Sequence, residues 1–165
     1  MPSKLTGYLG LGSNEGDRLD NLRAARDALA RRGIRVTGSS SVYETAPQGE
    51  VLDQPDFLNA CLRIETELGP EELLDACKAV EGELGRAPRR RRHGPRPIDV
   101  DVLMLDDLAW RSERLTLPHP EVTRRRFVLE PLLELDANLT LPGGEPLSDA
   151  AERVADQRIR PAGSL

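Results

Sequence analysis

Two aspartates stand close together in an otherwise apolar stretch of the chain. The segment "IDVDVLML" has the composition of a buried strand, and Asp99 and Asp101 occupy alternate positions in it. Residues two apart on a strand point to the same side and lie roughly 6.5–7 Å apart. Such a pair suits Mg²⁺, which binds through one or two carboxylates and substrate phosphates. The alternative is a solvated pair on the outer face of an edge strand.

Arginines are concentrated just before this pair. They follow no helical or strand period, which predicts a loop, and they are Arg86, Arg89, Arg90, Arg91, Arg92 and Arg96. By itself, such a run is most often a solvated charged loop. Beside paired carboxylates it suits a metal–polyphosphate, because arginine forks bind phosphate oxygens while the metal joins the phosphates to the acids. The combination indicates phosphoryl transfer from a nucleotide.

The glycine-rich segment "GLGSNEG" matches neither of the common phosphate-binding loops, G-x-x-x-x-G-K-[ST] and G-x-G-x-x-G. Nucleotide binding would therefore depend on arginines and metal. Three other residues each have two interpretations. Glu81 borders a helical apolar stripe and either reaches water or points at the site. His119, between prolines in "LPHP", is either incidental or held for phosphate contact. Phe127 is either a core residue or a stacking residue.

Composition limits the possible classes of protein. The chain has 165 residues, 31% charged residues and a net charge of −5, which predicts one domain that includes all of the sequence and argues mildly against nucleic-acid binding. We expect its end, from about residue 157, to be frayed. Cys61 and Cys77 lie in apolar patterns, which predicts free buried thiols. No apolar run reaches 18 residues. We therefore expect a cytoplasmic protein that binds no membrane.

The order of predicted elements is β-α-β-β-α-β. Strands are predicted at 7–13, 34–45, 58–66 and 98–105, and helices at about 17–33 and 69–85, followed by two helical segments joined through Pro131. This order is typical of the ferredoxin-like α+β fold, an antiparallel sheet with both helices on one face. The other face would be left for a ligand or for the C-terminal helical segments.

The alternation of side chains along the strands predicts which residues point to that other face. The helix side receives Leu9, Leu11, Leu58, Ala60, Leu62, Ile64, Ile98, Val100, Val102 and Met104. The opposite side receives Tyr8, Gly10, Gly12, Phe57, Asn59, Cys61, Asp99, Asp101 and Leu103. Three strands thus agree on one face that holds two bare glycines, an amide and both carboxylates, which predicts a binding site there.

The sequence resembles the 6-hydroxymethyl-7,8-dihydropterin pyrophosphokinases of folate biosynthesis. The resemblance runs in order through "GLGSN", "YETAPQG", "QPDFLNA", "ELGR", "HGPRPIDVDVL", "LPHP" and "RRRFVLEPLLELD", and it covers roughly residues 5–145. It implies a ferredoxin-like enzyme that transfers the β,γ-diphosphate of ATP to the pterin hydroxymethyl group and releases AMP. It also implies ATP and the pterin as substrates, without nucleic acid, and we expect a monomer.

The resemblance implies a role for each matching residue. Asp99 and Asp101 are the implied ligands of two Mg²⁺ ions, and with Arg86 and Arg96 they form the implied catalytic group. The implied ATP contacts are Glu81, Arg92, Arg96, Arg114, Thr116, His119 and Arg125. The implied pterin contacts are Thr45, Pro47, Phe57, Asn59, His93 and Phe127. The chain departs from some members at Pro88, His93 and Pro120, where those members have an arginine, a tryptophan and an aromatic residue.

Two other classes of function compete with this interpretation. A nucleic-acid-binding module of the RRM type needs aromatic residues on its central strands, and this chain is only 3% aromatic. The two aspartates on that face would also repel phosphate. A regulatory metal-binding domain would not need an arginine loop that fits phosphates. Dependence of ligand binding on ATP and Mg²⁺ would separate these alternatives.

Overall fold

The computed structural model describes residues 4–47, 53–85 and 95–165. Its strands are β1 (Leu5–Ser13), β2 (Arg35–Ser39), β3 (Ser41–Thr45), β4 (Phe57–Thr66), β5 (Asp99–Leu105), β6 (Trp110–Arg111), β7 (Thr116–Leu117) and β8 (Arg160–Ser164). Its helices are α1 (Arg18–Arg31), α2 (Pro70–Glu83), α3 (Arg126–Leu135) and α4 (Leu147–Arg153). No helix in these ranges is long and apolar enough to cross a bilayer.

The main sheet has the predicted ferredoxin-like arrangement. Its strand order is β5-β1-β4-β3-β8, and β2 also pairs with β4. The central strand β1 is antiparallel to both β5 and β4. Strands that are far apart in the sequence are therefore neighbours, which brings the aspartates of β5 and Asn59 of β4 to either side of β1.

Local signals in the sequence set the ends of the two main helices. Asp17 caps α1, since its Oδ1 accepts a hydrogen bond from the Asp20 N–H at 3.1 Å. Pro70 begins α2, and Gly85 follows its end with a φ of +96° that favours glycine. These ends confirm the helices predicted near 17–33 and 69–85.

Apolar side chains cover both faces of the sheet. On one face, α1 and α2 pack on a large buried cluster that includes Leu9, Leu62 and Val100. On the other face, α3 and α4 pack on a smaller cluster that includes Tyr8, Leu103 and Leu129. Because α3 and α4 cover only part of this second face, the rest is left as the wall of a pocket.

The predicted position of Met104 is wrong. Tyr8 pairs with Met104, but Leu9 pairs with Val102, so Leu103 is an extra residue in β5. Such a β-bulge reverses the alternation of side chains that follow it. Leu103 and Met104 therefore both lie in the smaller cluster, and Leu105 takes the helix-side position.

The predicted strand at 34–45 is divided into β2 and β3, which both pair with β4. The division falls at Ser40, which is buried. Its backbone N–H donates to the Cys61 carbonyl at 2.9 Å, and its hydroxyl accepts from the Cys61 N–H at 2.9 Å. A side chain thus replaces one backbone bond of the ladder, which allows the strand to bend without leaving a buried N–H unpaired.

The C-terminal region also differs from the prediction. Pro131 lies inside α3 and does not join two segments, because a proline there removes only one hydrogen bond of the helix. The second helical segment is α4. The end of the chain is not frayed up to Ser164, since β8 pairs with β3 and its backbone groups gain partners there.

Replacing Ser40 by alanine should lower the free energy of unfolding by about 1–3 kcal/mol, because the buried Cys61 N–H would lose its acceptor. Ser39→Ala is the matched control, since Ser39 is exposed. Urea unfolding of both variants measures the difference. Equal midpoints would show that the Ser40 hydroxyl does not support the bend.

Candidate active site

A pocket opens on the sheet face opposite α1 and α2. Its cavity volume is about 120 Å³. Residues predicted from the sequence make up much of its wall: Thr45, Phe57, Asn59, Arg96, Asp99, Asp101, Arg125 and Phe127. The fold therefore gathers carboxylates, guanidinium groups, an amide and two aromatic rings into one site, from β4, from β5 and the segment before it, and from the start of α3.

The register of the sheet arranges these groups in order. Gly12 pairs with Asp99 on one side and with Asn59 on the other, and Gly10 pairs with Asp101 on the same side as Asp99. Neighbouring strands lie about 4.8 Å apart, so the backbones at Asp99 and Asn59 are separated by about 10 Å. A bare strip of β1 separates the carboxylates from the amide.

Gly12 is needed for this arrangement. A Cβ atom at this position would lie 3.3 Å from Asn59 Oδ1 and 3.6 Å from the Phe57 ring. The first of these distances is tighter than most contacts of real Cβ atoms, so a side chain would displace the amide. Glycine at this position therefore leaves space in the pocket between Asp99 and Asn59.

The Asn59 amide has a defined orientation. Asn59 is almost completely buried, and its Nδ2 donates to Thr45 Oγ1 at 2.8 Å. An amide offers two N–H donors and an acceptor oxygen, and Thr45 uses one of the donors. The second donor and Oδ1 can read a ring edge that carries complementary groups.

Arg96 connects the acidic and aromatic parts of the pocket. Its Nε forms an ion pair with Asp99 Oδ2, and its guanidinium carbon lies 4.9 Å from the centre of the Phe57 ring. Arg125 has a similar position over Phe127, at 5.5 Å, and also pairs with Glu121 at 3.0 Å. Both cations therefore stand beside aromatic rings at the mouth of the site.

Asn14 is a residue that sequence reasoning missed. It is almost completely buried, and its Nδ2 donates to Gln54 Oε1 at 2.7 Å and to the Pro55 carbonyl at 3.0 Å. Its Oδ1 accepts from the Arg96 N–H at 2.9 Å. Asn14 thus ties the end of β1 to the segments that lead into β4 and β5. The available signals were its place at the end of the motif "GLGSN" and directly after an apolar strand.

The comparison with known families agrees with this geometry. The family model for 7,8-dihydro-6-hydroxymethylpterin-pyrophosphokinase matches residues 8–137. A 2-amino-4-hydroxy-6-hydroxymethyldihydropteridine pyrophosphokinase of Haemophilus influenzae is 38% identical over 156 residues, 94% of this chain and 96% of that protein. The enzyme of the same name from Methylorubrum extorquens is 47% identical and covers 89% of this chain and 92% of its own.

The chain belongs to this family. Like those relatives, which it spans almost completely, it is an ATP-dependent pyrophosphokinase that acts on hydroxymethyldihydropterin in folate biosynthesis. ATP is the co-substrate of the family, and Mg²⁺ is general in it.

Longer relatives contain the same domain. The mitochondrial folate synthesis bifunctional protein of Pisum sativum is 47% identical over 127 residues, but the chain spans only 24% of its length. A crystal structure of a single-substitution variant of Plasmodium falciparum HPPK-DHPS with SDX-DHP superposes with a TM-score of 0.73 at 13% identity, over 94% of this chain and 46% of that one. At such low identity the superposition shows the fold alone, which agrees with the ferredoxin-like prediction.

Several predicted residues of this pyrophosphokinase lie away from the pocket wall. Arg114 and Thr116 belong to the β6–β7 hairpin, where Arg114 forms ion pairs with Asp75 and Glu71 of α2. His119 follows β7, and its N–H donates to the Leu103 carbonyl of β5 at 2.8 Å. Pro47 is half-buried next to a pocket residue. Arg86, Arg92 and His93 lie outside the described residues.

Glu81 lies on α2, away from the pocket wall, and is 4% exposed. Its Oε2 accepts from the Val100 N–H at 2.8 Å, and its Oε1 lies 3.4 Å from Lys78 Nζ. Val100 is the residue between the two aspartates of β5. The structure thus gives Glu81 a clear contact with the backbone of the aspartate strand, while its contact with ATP stays a prediction.

The pyrophosphokinase pocket does not depend on thiol chemistry. Cys61 lines the pocket and Cys77 lies on α2, and both are free and buried, as predicted. Burial raises the pKa of the Cys77 thiol to about 12 and raises the pKa of Cys61 further. Both side chains are therefore neutral at physiological pH and are poor nucleophiles.

Glu81→Ala should lower the free energy of unfolding by about 1–3 kcal/mol, because it leaves the buried Val100 N–H without this acceptor. Glu81→Gln should lose less, since its amide oxygen can still accept. Glu83→Ala is the control, because Glu83 lies two residues further on α2 and forms only long ion pairs at the surface. Chemical denaturation of the three variants gives the order. Equal losses for Glu81→Ala and Glu83→Ala would contradict the structural role.

Stability should also fall in mild acid because of His119. Burial lowers its pKa below the ordinary value of 6.5; the Glu121 carboxylate opposes this shift, and Arg125 adds a smaller lowering. Its Nδ1 accepts from the Glu121 N–H at 3.1 Å. The folded chain therefore binds this proton less readily than the unfolded chain, and stability falls as pH drops below 6.5. His119→Asn can keep an acceptor there and should show less of the fall. Melting curves of both proteins between about pH 7.5 and 5.5 test this, and parallel curves would contradict it.

Proposed function

We propose that the glycine-floored pocket binds both substrates of the family reaction, with the pterin at Asn59 and the diphosphate of ATP at Asp99 and Asp101. The observation that carries this proposal is the row of register partners Asp99, Gly12 and Asn59. In this row, the backbone of the metal-binding Asp99 lies about 10 Å, or two strand spacings, from the backbone of Asn59, which would bind the pterin ring. Gly12 lies between them and has no side chain. A hydroxymethyl group and a diphosphate can be accommodated between them.

The pterin side is supported by the fixed amide of Asn59. Thr45 holds one amide hydrogen, so the remaining N–H and Oδ1 are presented as a donor and an acceptor. The aminopyrimidinone edge of a pterin carries the complementary pattern. Phe57 and Phe127 line the same pocket and offer flat apolar surfaces for the ring. The predicted contacts from Pro47 and His93 remain part of the proposal.

The diphosphate side is supported by the chemistry of the donors. No group of three or more His, Cys, Asp and Glu side chains in the described ranges could hold a metal ion. Two carboxylates that line an open pocket instead fit Mg²⁺, whose other ligands are commonly phosphates and water. Bound there, Mg²⁺ would neutralise charge on the diphosphate. We propose two such ions, as the family resemblance implies.

Charge neutralisation and positioning would be the main contributions of the side chains. Arg96 already lies at Asp99, so it can turn from the carboxylate to a phosphate with a small movement. Arg125 offers a second cation at the mouth, and we propose Arg86 and Arg92 as further partners of the nucleotide. The pterin hydroxyl would attack the β-phosphorus in line, so that AMP leaves. Since little covalent chemistry falls to the protein, fixed charges dominate the catalysis.

The rest of the nucleotide would lie beside β5. The hairpin residues Arg114 and Thr116 and the following His119 are on this side, and Glu81 packs under the same strand. We propose these residues as ATP contacts or supports. We also propose a cytoplasmic location, because the two buried free thiols suit a reducing compartment. The proposal includes the monomer expected from the sequence.

Release of AMP from ATP, measured with and without the hydroxymethyldihydropterin, tests this proposal. Asn59→Ala should raise the pterin KM about 5- to 150-fold, equivalent to 1–3 kcal/mol for unpaired polar groups, and should leave the ATP KM almost unchanged. Asp101→Asn should lower kcat at least about 100-fold, and excess pterin should not restore the rate, because the substitution removes a charge that holds the metal. The two substitutions should therefore affect different parameters.

Asn138→Ala and Asp107→Asn are the matched controls, since both residues are exposed and lie outside the pocket wall. Both should behave as the unmodified protein. Near-normal turnover in Asp101→Asn would contradict the metal assignment. An equal rise of both KM values in Asn59→Ala would contradict the pterin assignment.

A further inference from the structure

The C-terminal strand β8 is a firmly attached part of the sheet, although it lies beyond residues 8–137, which the family model matches. It pairs with β3, and Arg23 of α1 donates to the Ser164 carbonyl at 3.2 Å. Leu165 packs against the helix-side apolar cluster. These contacts hold the end of the chain against β3 and against the helix side of the sheet.

The first residue of β8 takes part in a group of four charged residues, here named the Glu44 cluster: Arg18, Glu44, Asp56 and Arg160. Arg18 Nη1 lies 2.6 Å from Glu44 Oε2, and Arg160 Nη2 lies 2.5 Å from Glu44 Oε1. Each oxygen of one carboxylate thus has its own guanidinium. Arg18 also donates to the Asp56 carbonyl at 2.9 Å, and Arg160 lies 3.4 Å from Asp56 Oδ2.

The Glu44 cluster stands at the end of the β3–β4 ladder. The last pair of this ladder joins Thr45 to Phe57, and both residues line the pocket. Glu44 precedes Thr45 and Asp56 precedes Phe57. The ion pairs of the cluster therefore join the two strands one residue away from that pair. A terminal pair has a neighbouring pair on one side only and opens more easily than the middle of a ladder.

We propose that Arg160 is a positioning residue for the pterin, because it holds the Thr45–Phe57 pair closed through Glu44 and Asp56. Opening of this pair would move Thr45 away from the Asn59 amide, which it orients at 2.8 Å, and would move the Phe57 ring. The inference rests on the proposed binding of the pterin at Asn59. By this proposal, the exposed C-terminal strand β8 contributes to the affinity for the pterin.

The expected effect is modest because the cluster is partly solvated. The side chain of Glu44 is 23% exposed, whereas that of Arg160 is 66% exposed. The hydrogen bond from Arg18 lowers the pKa of Glu44, so its carboxylate remains charged at neutral pH. Exposed ion pairs typically change an equilibrium by about two- to fivefold and weaken as salt rises.

The test compares Arg160→Ala with Arg158→Ala in the full chain. Arg158 is an exposed arginine two residues earlier, which gives the control the same loss of charge. Arg160→Ala should raise the pterin KM about two- to fivefold and leave the ATP KM unchanged. The difference from the unmodified protein should shrink at high salt. Arg160→Lys should recover part of the affinity, and Glu44→Gln should reproduce the loss.

Amide hydrogen exchange of peptides that cover residues 41–47 and 53–60 provides a second readout. Exchange there should be faster in Arg160→Ala than in Arg158→Ala, without a change in β1. Identical pterin KM values for the two variants, or an equal rise of both substrate KM values in Arg160→Ala, would overturn the proposal. An unchanged pterin KM in Asn59→Ala would overturn the proposed pterin site, whereas unchanged exchange in Arg160→Ala would separately overturn the role of Arg160.

Discussion

The pocket depends on the absence of side chains at Gly10 and Gly12, on one face of β1. This strand lies between β5 and β4, so any side chain at these two positions would stand between the carboxylates of β5 and the amide of β4. At Gly12 the space is already limited, because a Cβ would meet Asn59 Oδ1 at 3.3 Å. A cavity in a packed protein needs such a cause, since interiors otherwise fill at high density.

Buried polar contacts then set the positions of the groups around this floor. Asn14 satisfies its amide with partners from two separate segments, and one of these segments carries Arg96. Thr45 orients Asn59 in a similar way, and Glu81 holds the backbone between the two aspartates. The bonds of Asn59 and Glu81 are buried and those of Asn14 are partly buried, so losing a partner would leave a polar group with little access to water. The same hydrogen bonds thus give the polar groups their partners and fix the geometry of the site.

The distribution of charge in the site explains how acidic and basic groups are kept in one small pocket. Arg96 pairs with Asp99 and lies over Phe57, so part of the negative charge is balanced before any ligand is considered. Paired carboxylates on one strand would otherwise repel each other in a partly buried setting. In the proposed site, the same guanidinium would also contact the phosphates. One residue would then serve both the stability of the ligand-free site and its affinity for an anion.

Much of the fold and of the site follows from the sequence. The glycine, cap and apolar patterns predict α1, α2 and the order of strands, and side-chain alternation places Asp99, Asp101, Asn59, Gly10 and Gly12 on one face. These signals are local, with periods of two or 3.6 residues, so they can be recognised without knowing which segments meet. The motifs from "GLGSN" to "RRRFVLEPLLELD" also suffice to predict the family.

Only the tertiary structure decided the features that depend on distant partners. The bulge at Leu103 reverses the side chains of β5 because of its pairing with β1, and Ser40 bends its strand because it meets Cys61. Asn14 and Arg160 carry no periodic signal, and the periodicity of α2 does not reveal what Glu81 contacts on β5. The long-range partners of these three residues lie between 19 and 116 residues away in the chain. The sequence determined by itself which residue types face the pocket, since alternation is local. Their distances and mutual support had to come from the folded chain, since they arise where separate segments meet.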